Sequence, residues 1–180
     1  MRPELKSKFI QYLNYQKNDE GFTLIELLAV IMIVGILAAI AIPNLLNQDV
    51  KAKQTEAKQN IALVNKAQNA YRAENSTFAS SFDILAIGSV TGGTTGTTTN
   101  YVYGLTQTIA TDSAVVTGSP NDAALRAFSG GNTRFTNGSN MNVIGTVMCE
   151  TIVVGATATP PTITAGTRPT CTAAQITLSL

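Results

Sequence analysis

The sequence predicts an α+β fold: a long N-terminal helix, apolar in its first half and amphipathic in its second, packed against a small antiparallel β-sheet. Three observations predict it. Phe22 to Ile42 is an apolar run of 21 residues in which Glu26 is the only strongly polar side chain. From Asn47 the composition turns polar while apolar residues keep a helical period. Beyond Asn100, short β-branched and aromatic runs alternate with Gly, Pro and Asn, the pattern of strands and turns.

Composition narrows the function classes. The 180 residues suit one globular domain plus a helical anchor. There is no His, which excludes histidine-dependent acid–base chemistry and His-ligated metals. No glycine run with a P-loop lysine follows a strand, and Asp83, Asp112, Asp122 and Glu150 lack EF-hand spacing. No cofactor, metal site or catalytic constellation is expected, and the chain reads as no enzyme. Charged residues make up 13 %, and the formal net charge is +1. Residues 22–180 carry eight basic and eight acidic side chains, so nothing electrostatic argues for nucleic-acid binding.

Residues 1–21 read as a leader. Arg2, Lys6, Lys8 and Lys17 stand against Glu4, Asp19 and Glu20 ahead of the apolar run. The positive-inside bias places this end in the cytoplasm and the C-terminal domain outside. Phe9, Ile10, Tyr12 and Leu13 allow a short amphipathic turn. Gly21 closes the leader, and a residue without Cβ lets a peptidase approach the extended backbone closely.

Residues 22–46 are expected to be a transmembrane helix. At about 1.5 Å per residue, Phe22–Ile42 spans roughly 31 Å, enough for a bilayer core. Glu26 near its start is costly in lipid and needs a reason. Gly35 and Pro43 interrupt it, weakening helix propensity by about 1 and about 3 kcal/mol. Pro43 also removes the hydrogen bond to Ala39 and disfavours helix at Ile42.

Gly21-Phe22-Thr23-Leu24-Ile25-Glu26, with a basic leader before it and an apolar helix after it, resembles the type III signal of type IV prepilins. The resemblance covers residues 1 to 75 well and the rest loosely. It implies cleavage between Gly21 and Phe22 by a prepilin peptidase, with N-methylation of Phe22. It implies a helix-melting segment bracketed by Gly35 and Pro43. It implies that Glu26 pairs with the Phe22 amine of a neighbouring subunit, where an unpaired carboxylate would be very costly. The local alternative for Glu26 is its own chain's amine and the helix dipole. Two other readings of the N-terminus stand beside this one. One is a secretory signal cleaved after Ala41, since Ala39-Ile40-Ala41 has the small-x-small spacing. The other is an uncleaved signal anchor, which leaves the hexapeptide unexplained.

Residues 47–75 continue the helix. Val50, Ala57, Ile61, Val64 and Tyr71 form one apolar stripe that packs on its own domain. Lys51, Lys58, Asn65 and Arg72 form a neighbouring stripe expected to be solvated. Asn75 is a candidate left-handed cap at the end. Such a helix, membrane-like below and domain-packed above, is similar to the lollipop layout of pilins.

Residues 76–180 are expected to form a β-rich head. Phe78 to Ile87 reads as a loop or short helix tucked under it, and Gly88 to Thr99 as an exposed, mobile, low-complexity loop. Strands are expected at Asn100–Leu105, Ala114–Thr117, Asn142–Cys149, Thr151–Val154 and Gln175–Leu180. Ala123 to Phe128 reads as a helical turn before Gly130-Gly131, and Ala158 to Pro169 as a Thr/Pro loop. Cys149 and Cys171 bracket that loop, and a single pair in an exported chain reads as a disulfide. The pair also resembles the disulfide-bounded region of pilins. Glu150 after the first cysteine and Tyr101-x-Tyr103 are similar to pilins of the secretion G/H type found in cyanobacteria.

The resemblance therefore implies a structural subunit of a type IV pilus, a surface appendage for adhesion, twitching motility or DNA uptake. Its implied partners are other pilin subunits, the prepilin peptidase, and the assembly platform with its ATPase motor. Its implied locations are the inner membrane before assembly and the extracellular pilus after it. The alternatives are a minor pilin, a type II secretion pseudopilin, or a membrane-anchored binding module that forms no long filament.

Overall fold

The computed structural model describes residues 3–15, 21–108, 112–139 and 142–179. Arg2, Lys17, Asp19 and Glu20 of the expected leader, and Leu180 of the last expected strand, lie outside the described residues. The chain divides into two compact units, residues 1–46 and 47–180.

The first unit holds α1 (Pro3–Tyr15), longer than the turn expected from Phe9, Ile10, Tyr12 and Leu13. It also holds the start of α2 (Leu24–Glu74), a helix that runs unbroken through Gly35 and Pro43. No side chain between Phe22 and Leu46 is buried. The apolar window has mean hydropathy 2.9, and the helix is long enough to cross a membrane.

In the second unit the rest of α2 packs on a six-stranded sheet in the order β1-β2-β3-β4-β5-β6, each neighbour antiparallel. The strands are β1 (Thr95–Thr97), β2 (Tyr101–Thr108), β3 (Ser113–Pro120), β4 (Phe128–Thr136), β5 (Asn142–Thr151) and β6 (Gln175–Thr177). The short α3 (Phe82–Leu85) sits between α2 and β1, with Phe78 and Phe82 buried. Alternation along the strands sends Tyr101, Tyr103, Leu105, Val116, Phe128 and Met148 to one face. There they meet Ala57, Ile61 and Val64 of α2, all fully buried, with Val50 half-buried at the margin. The stripe read from the sequence is thus the helix's core face, and the fold is the expected α+β arrangement of helix on antiparallel sheet.

Several local expectations are corrected. Asn65 is not solvated but 1 % exposed. It lies over Gly130, donates from Nδ2 to the Val147 carbonyl at 3.1 Å, and accepts from Asn132 Nδ2 at 3.2 Å. Asn75 is not a left-handed cap, since Ala86 is the one non-glycine with positive φ among the described residues. Its side chain instead donates to the Tyr71 carbonyl, and Arg72 donates to the Asn75 carbonyl. The Gly/Thr-rich stretch is not a free loop. Val90 is fully buried, and Gly96 sits in β1 with Val90 and Phe82 against it, where a Cβ has no room. Gly118-Ser119-Pro120 continues β3 instead of ending it.

The largest miss is β4. Its central Gly130-Gly131 reads as a turn in sequence, yet both glycines are buried strand positions. A Cβ on Gly130 would lie 2.6 Å from Asn65 Nδ2, and one on Gly131 would lie 2.8 Å from Pro161 Cγ. The helix presses on one face of the strand and the C-terminal loop on the other, and only glycine permits both approaches. Of the expected helical turn Ala123–Phe128, residues 123–127 are a turn without helix and Phe128 opens β4, while Ile152–Val154 leaves the sheet in place of forming a strand. β6 does close the sheet edge beside β5.

Candidate functional site

The N-terminal segment is built by its own local chemistry. Residues 21–23 are not helical, and α2 begins at Leu24. The Leu27 N–H donates to the Thr23 carbonyl at 3.2 Å, making Thr23 the N-cap. Thr23 Oγ1 accepts from the Glu26 N–H at 3.3 Å, while Glu26 Oε2 accepts from the Thr23 N–H at 2.9 Å and its hydroxyl at 2.8 Å. This is a reciprocal capping box, Thr-x-x-Glu. Thr23 was not singled out in the sequence, although a Ser/Thr three residues ahead of an acid before an apolar run is the signal for it. Glu26 therefore has partners within its own chain. In the assembly reading, the Phe22 amine would have to compete with those bonds.

Gly21, Phe22 and Glu26 are all exposed, Phe22 at 86 %. Among the described residues nothing lies within 4 Å of where a Cβ on Gly21 would stand, and the same holds for Gly35. Neither has the positive φ that favours glycine. Among the described residues, packing within this chain gives no reason for either glycine. Pro43 lies inside the continuous helix, where Asn44 Nδ2 reaches the Ile40 carbonyl at 3.5 Å.

In the second unit Cys149 and Cys171 form a disulfide that ties β5 to the chain entering β6. Gln175 adds further ties. Its Nε2 donates to Ser129 Oγ at 3.0 Å and to the Thr159 carbonyl at 2.7 Å, and its Oε1 accepts from Thr172. Pro161 and Pro169 are buried against the sheet at Gly131 and Gly145. The Thr/Pro loop is thus a strap laid over the sheet face opposite α2.

Two ion clusters join elements. Glu150 meets Lys58 Nζ at 3.1 Å and Arg126 Nη1 at 3.5 Å, and Lys58 also lies over the Phe128 ring. Asp112 takes a bidentate pair from Arg134, at 2.9 and 2.7 Å, and meets Arg72 at 3.5 Å. Hydrogen bonding to the Arg134 guanidinium holds the Asp112 carboxyl below its ordinary range. Burial pushes the Tyr101 and Tyr103 hydroxyls up. The acids Asp83, Asp112, Asp122 and Glu150 do not converge: Asp83 and Asp122 accept from the nearby Gly92 and Ala124 N–H groups. Among the described residues no three His, Cys, Asp or Glu side chains are grouped to hold a metal.

Comparison with known proteins fits these features. Residues 16–42 match the prokaryotic N-terminal methylation motif. The type IV major pilin protein PilA of Myxococcus xanthus is 43 % identical over 65 residues, covering 36 % of this chain and 30 % of that protein. The type II secretion system core protein G of Vibrio cholerae is 39 % identical over 62 residues, covering 34 % of this chain and 42 % of that protein. Its counterpart from Pseudomonas aeruginosa is 37 % identical over 65 residues, covering 36 % and 46 %. The chain spans less than half the length of these curated relatives. No solved structure matches it. Residues 54–172, well over half of the chain, match the family described as type IV pilin-like G and H. With the methylation motif ahead of that match, an apolar helix and a disulfide-strapped sheet, the chain belongs to the type IV pilin-like G and H family.

Proposed function

We propose that this protein is the structural subunit of a type IV pilus filament, made as a prepilin and polymerised through the apolar half of α2. The observation that carries the reading is the exposed, apolar helix start, residues 22–46, opening on a capped Glu26. A helix this apolar needs lipid or other apolar helices around it. Residues 1–21 are the leader, 22–46 the membrane and assembly helix, 47–75 its amphipathic continuation and 76–180 the head. The prepilin peptidase cuts between Gly21 and Phe22, and Phe22 becomes N-methylated. Before assembly the subunit stands in the inner membrane with its head outside the cytoplasm. An assembly platform and ATPase then pass it into an extracellular filament serving adhesion or motility. The segment from Gly35 to Pro43 loosens on assembly, because its glycine and proline weaken the helix there. The subunit itself catalyses nothing.

A second reading has its own support. The relatives named as type II secretion core protein G match at nearly the same identity as the pilin, which favours a short secretion pseudopilus. Abundance separates the two. Filaments sheared from wild-type cells are expected to consist mainly of this subunit, with mass spectrometry finding an N-terminus at methylated Phe22. A trace-only presence in sheared filaments favours the pseudopilin, and an N-terminus at Ile42 or an intact Met1 refutes the prepilin reading altogether.

A further inference from the structure

Two exposed features of the second unit, an apolar turn and a groove lined by apolar side chains and one carboxylate, complement each other. The first is the turn Ile152-Val153-Val154, exposed by 47, 64 and 51 %. It leaves the sheet after Thr151, and Arg126 Nη1 donates to the Thr151 carbonyl at its base. The second is an open groove of about 220 Å³ between α2 and α3. Ala67, Ala70, Tyr71, Ile84 and Leu85 line it, and Glu74 stands at its rim.

The two lie toward opposite ends of the head. β5 runs antiparallel to α2, since Thr146 Oγ1 accepts from Asn69 while Glu150 meets Lys58. The chain leaving β5 at Thr151 thus continues past the level of Lys58, whereas the groove is centred on Ala70. The twelve-residue offset along α2 is about 18 Å. An exposed apolar turn at one end and a groove lined by Ala67, Ala70, Ile84, Leu85 and Glu74 at the other cannot meet within one molecule. Between copies, one turn in the next copy's groove is a heterologous contact, and where its rotation does not close a ring it propagates into an open polymer. Charge agrees with this pairing. At the turn's base two cations, Lys58 and Arg126, share the one carboxylate of Glu150, and the groove carries the exposed Glu74. We infer that the Ile152–Val154 turn of one subunit docks in the α2–α3 groove of a second copy of this chain, with Arg126 facing Glu74. The inference rests on the filament reading and names its head contact.

The test uses the full-length chain in cells, reading sheared-filament yield against processed, membrane-bound subunit. Val153→Asp places a charge in the contact, and Ala70→Trp fills the groove. Both positions are exposed, so the subunit should accumulate normally, while filament yield should fall by at least about tenfold. A chain carrying both Val153→Cys and Ala70→Cys gives a second readout in filaments that still form. A short bismaleimide should link its subunits into a ladder of covalent multimers. Wild-type yield from both blocking variants, with no ladder from the double-cysteine filaments, overturns the contact while leaving the filament reading intact. A wild-type chain that forms no filaments at all removes both.

Discussion

Asn65 lies against Gly130 so closely that a Cβ on the glycine would stand 2.6 Å from Asn65 Nδ2 and 2.7 Å from its Oδ1. Asn65 cannot swing away without losing its bonds to Val147 and Asn132. Gly130→Ala is therefore expected to destabilise the head by about 1–3 kcal/mol, the usual cost of overpacking. Thermal unfolding of the detergent-solubilised chain measures it. Combining it with Asn65→Ala should restore part of the loss, because the two positions share one contact. Additive losses would show that they do not.

Glu26→Gln keeps the capping box, since glutamine serves at the same position, but removes the charge. Membrane insertion and leader removal are expected to stay at wild-type level, and sheared filaments to be lost. Wild-type filament yield at equal expression would mean that Glu26 does no more than cap its own helix.

Nothing among the described residues crowds Gly21, so replacing it should leave the fold untouched and act only on processing. Gly21→Val is expected to leave the leader attached to most of the protein, visible as an unprocessed mass. Efficient release of Phe22 from that variant would move the recognised junction elsewhere.

The strap is held by the disulfide and, independently, by Gln175. Reduction, or Cys149→Ser with Cys171→Ser, should lower stability by roughly 3 kcal/mol in the chain-entropy model, while the helical circular dichroism signal persists. Gln175→Ala should lower it further and free the strap for proteolysis. Two free thiols in protein taken from the cell surface would contradict the bond.

Asp112 is held below its ordinary range by Arg134, so its contribution is present above the unfolded carboxylate pKa and lost as pH falls through the lower, folded value. Asp112→Asn should therefore lower the melting temperature at neutral pH. The gap to wild type should close in acid, once the wild-type carboxyl is protonated. A gap that stays constant with pH would assign the effect to packing instead of charge.

Where the signal is a long run or a repeating period, the sequence alone was enough, whereas Gly35, Pro43 and Asn75 signalled breaks and a cap that the fold does not show. The apolar run, the GFTLIE hexapeptide and the helical stripe from Val50 to Tyr71 are each read from neighbours along the chain, and α2 follows them to Glu74. The capping box also carries a local signal, Thr23 three residues ahead of Glu26, although the sequence reading gave Glu26 other partners. A disulfide between the two cysteines followed from there being only one pair. What the sequence hid depends on partners far along the chain. Gly130-Gly131 carries the local signature of a turn. It is a buried strand because Asn65, 65 residues earlier than Gly130, and Pro161, 30 residues after Gly131, close on its two faces. Asn65 looks like a solvated helix residue until the strand that takes its hydrogen bond is in place. Threonine and glycine at 94–97 cannot form a core by themselves, yet Thr95–Thr97 becomes an edge strand because β2 supplies its hydrogen bonds and Val90 and Phe82 pack over Gly96. Backbone pairing and close approach are not written in any single residue type, and only the folded chain brings their two halves together.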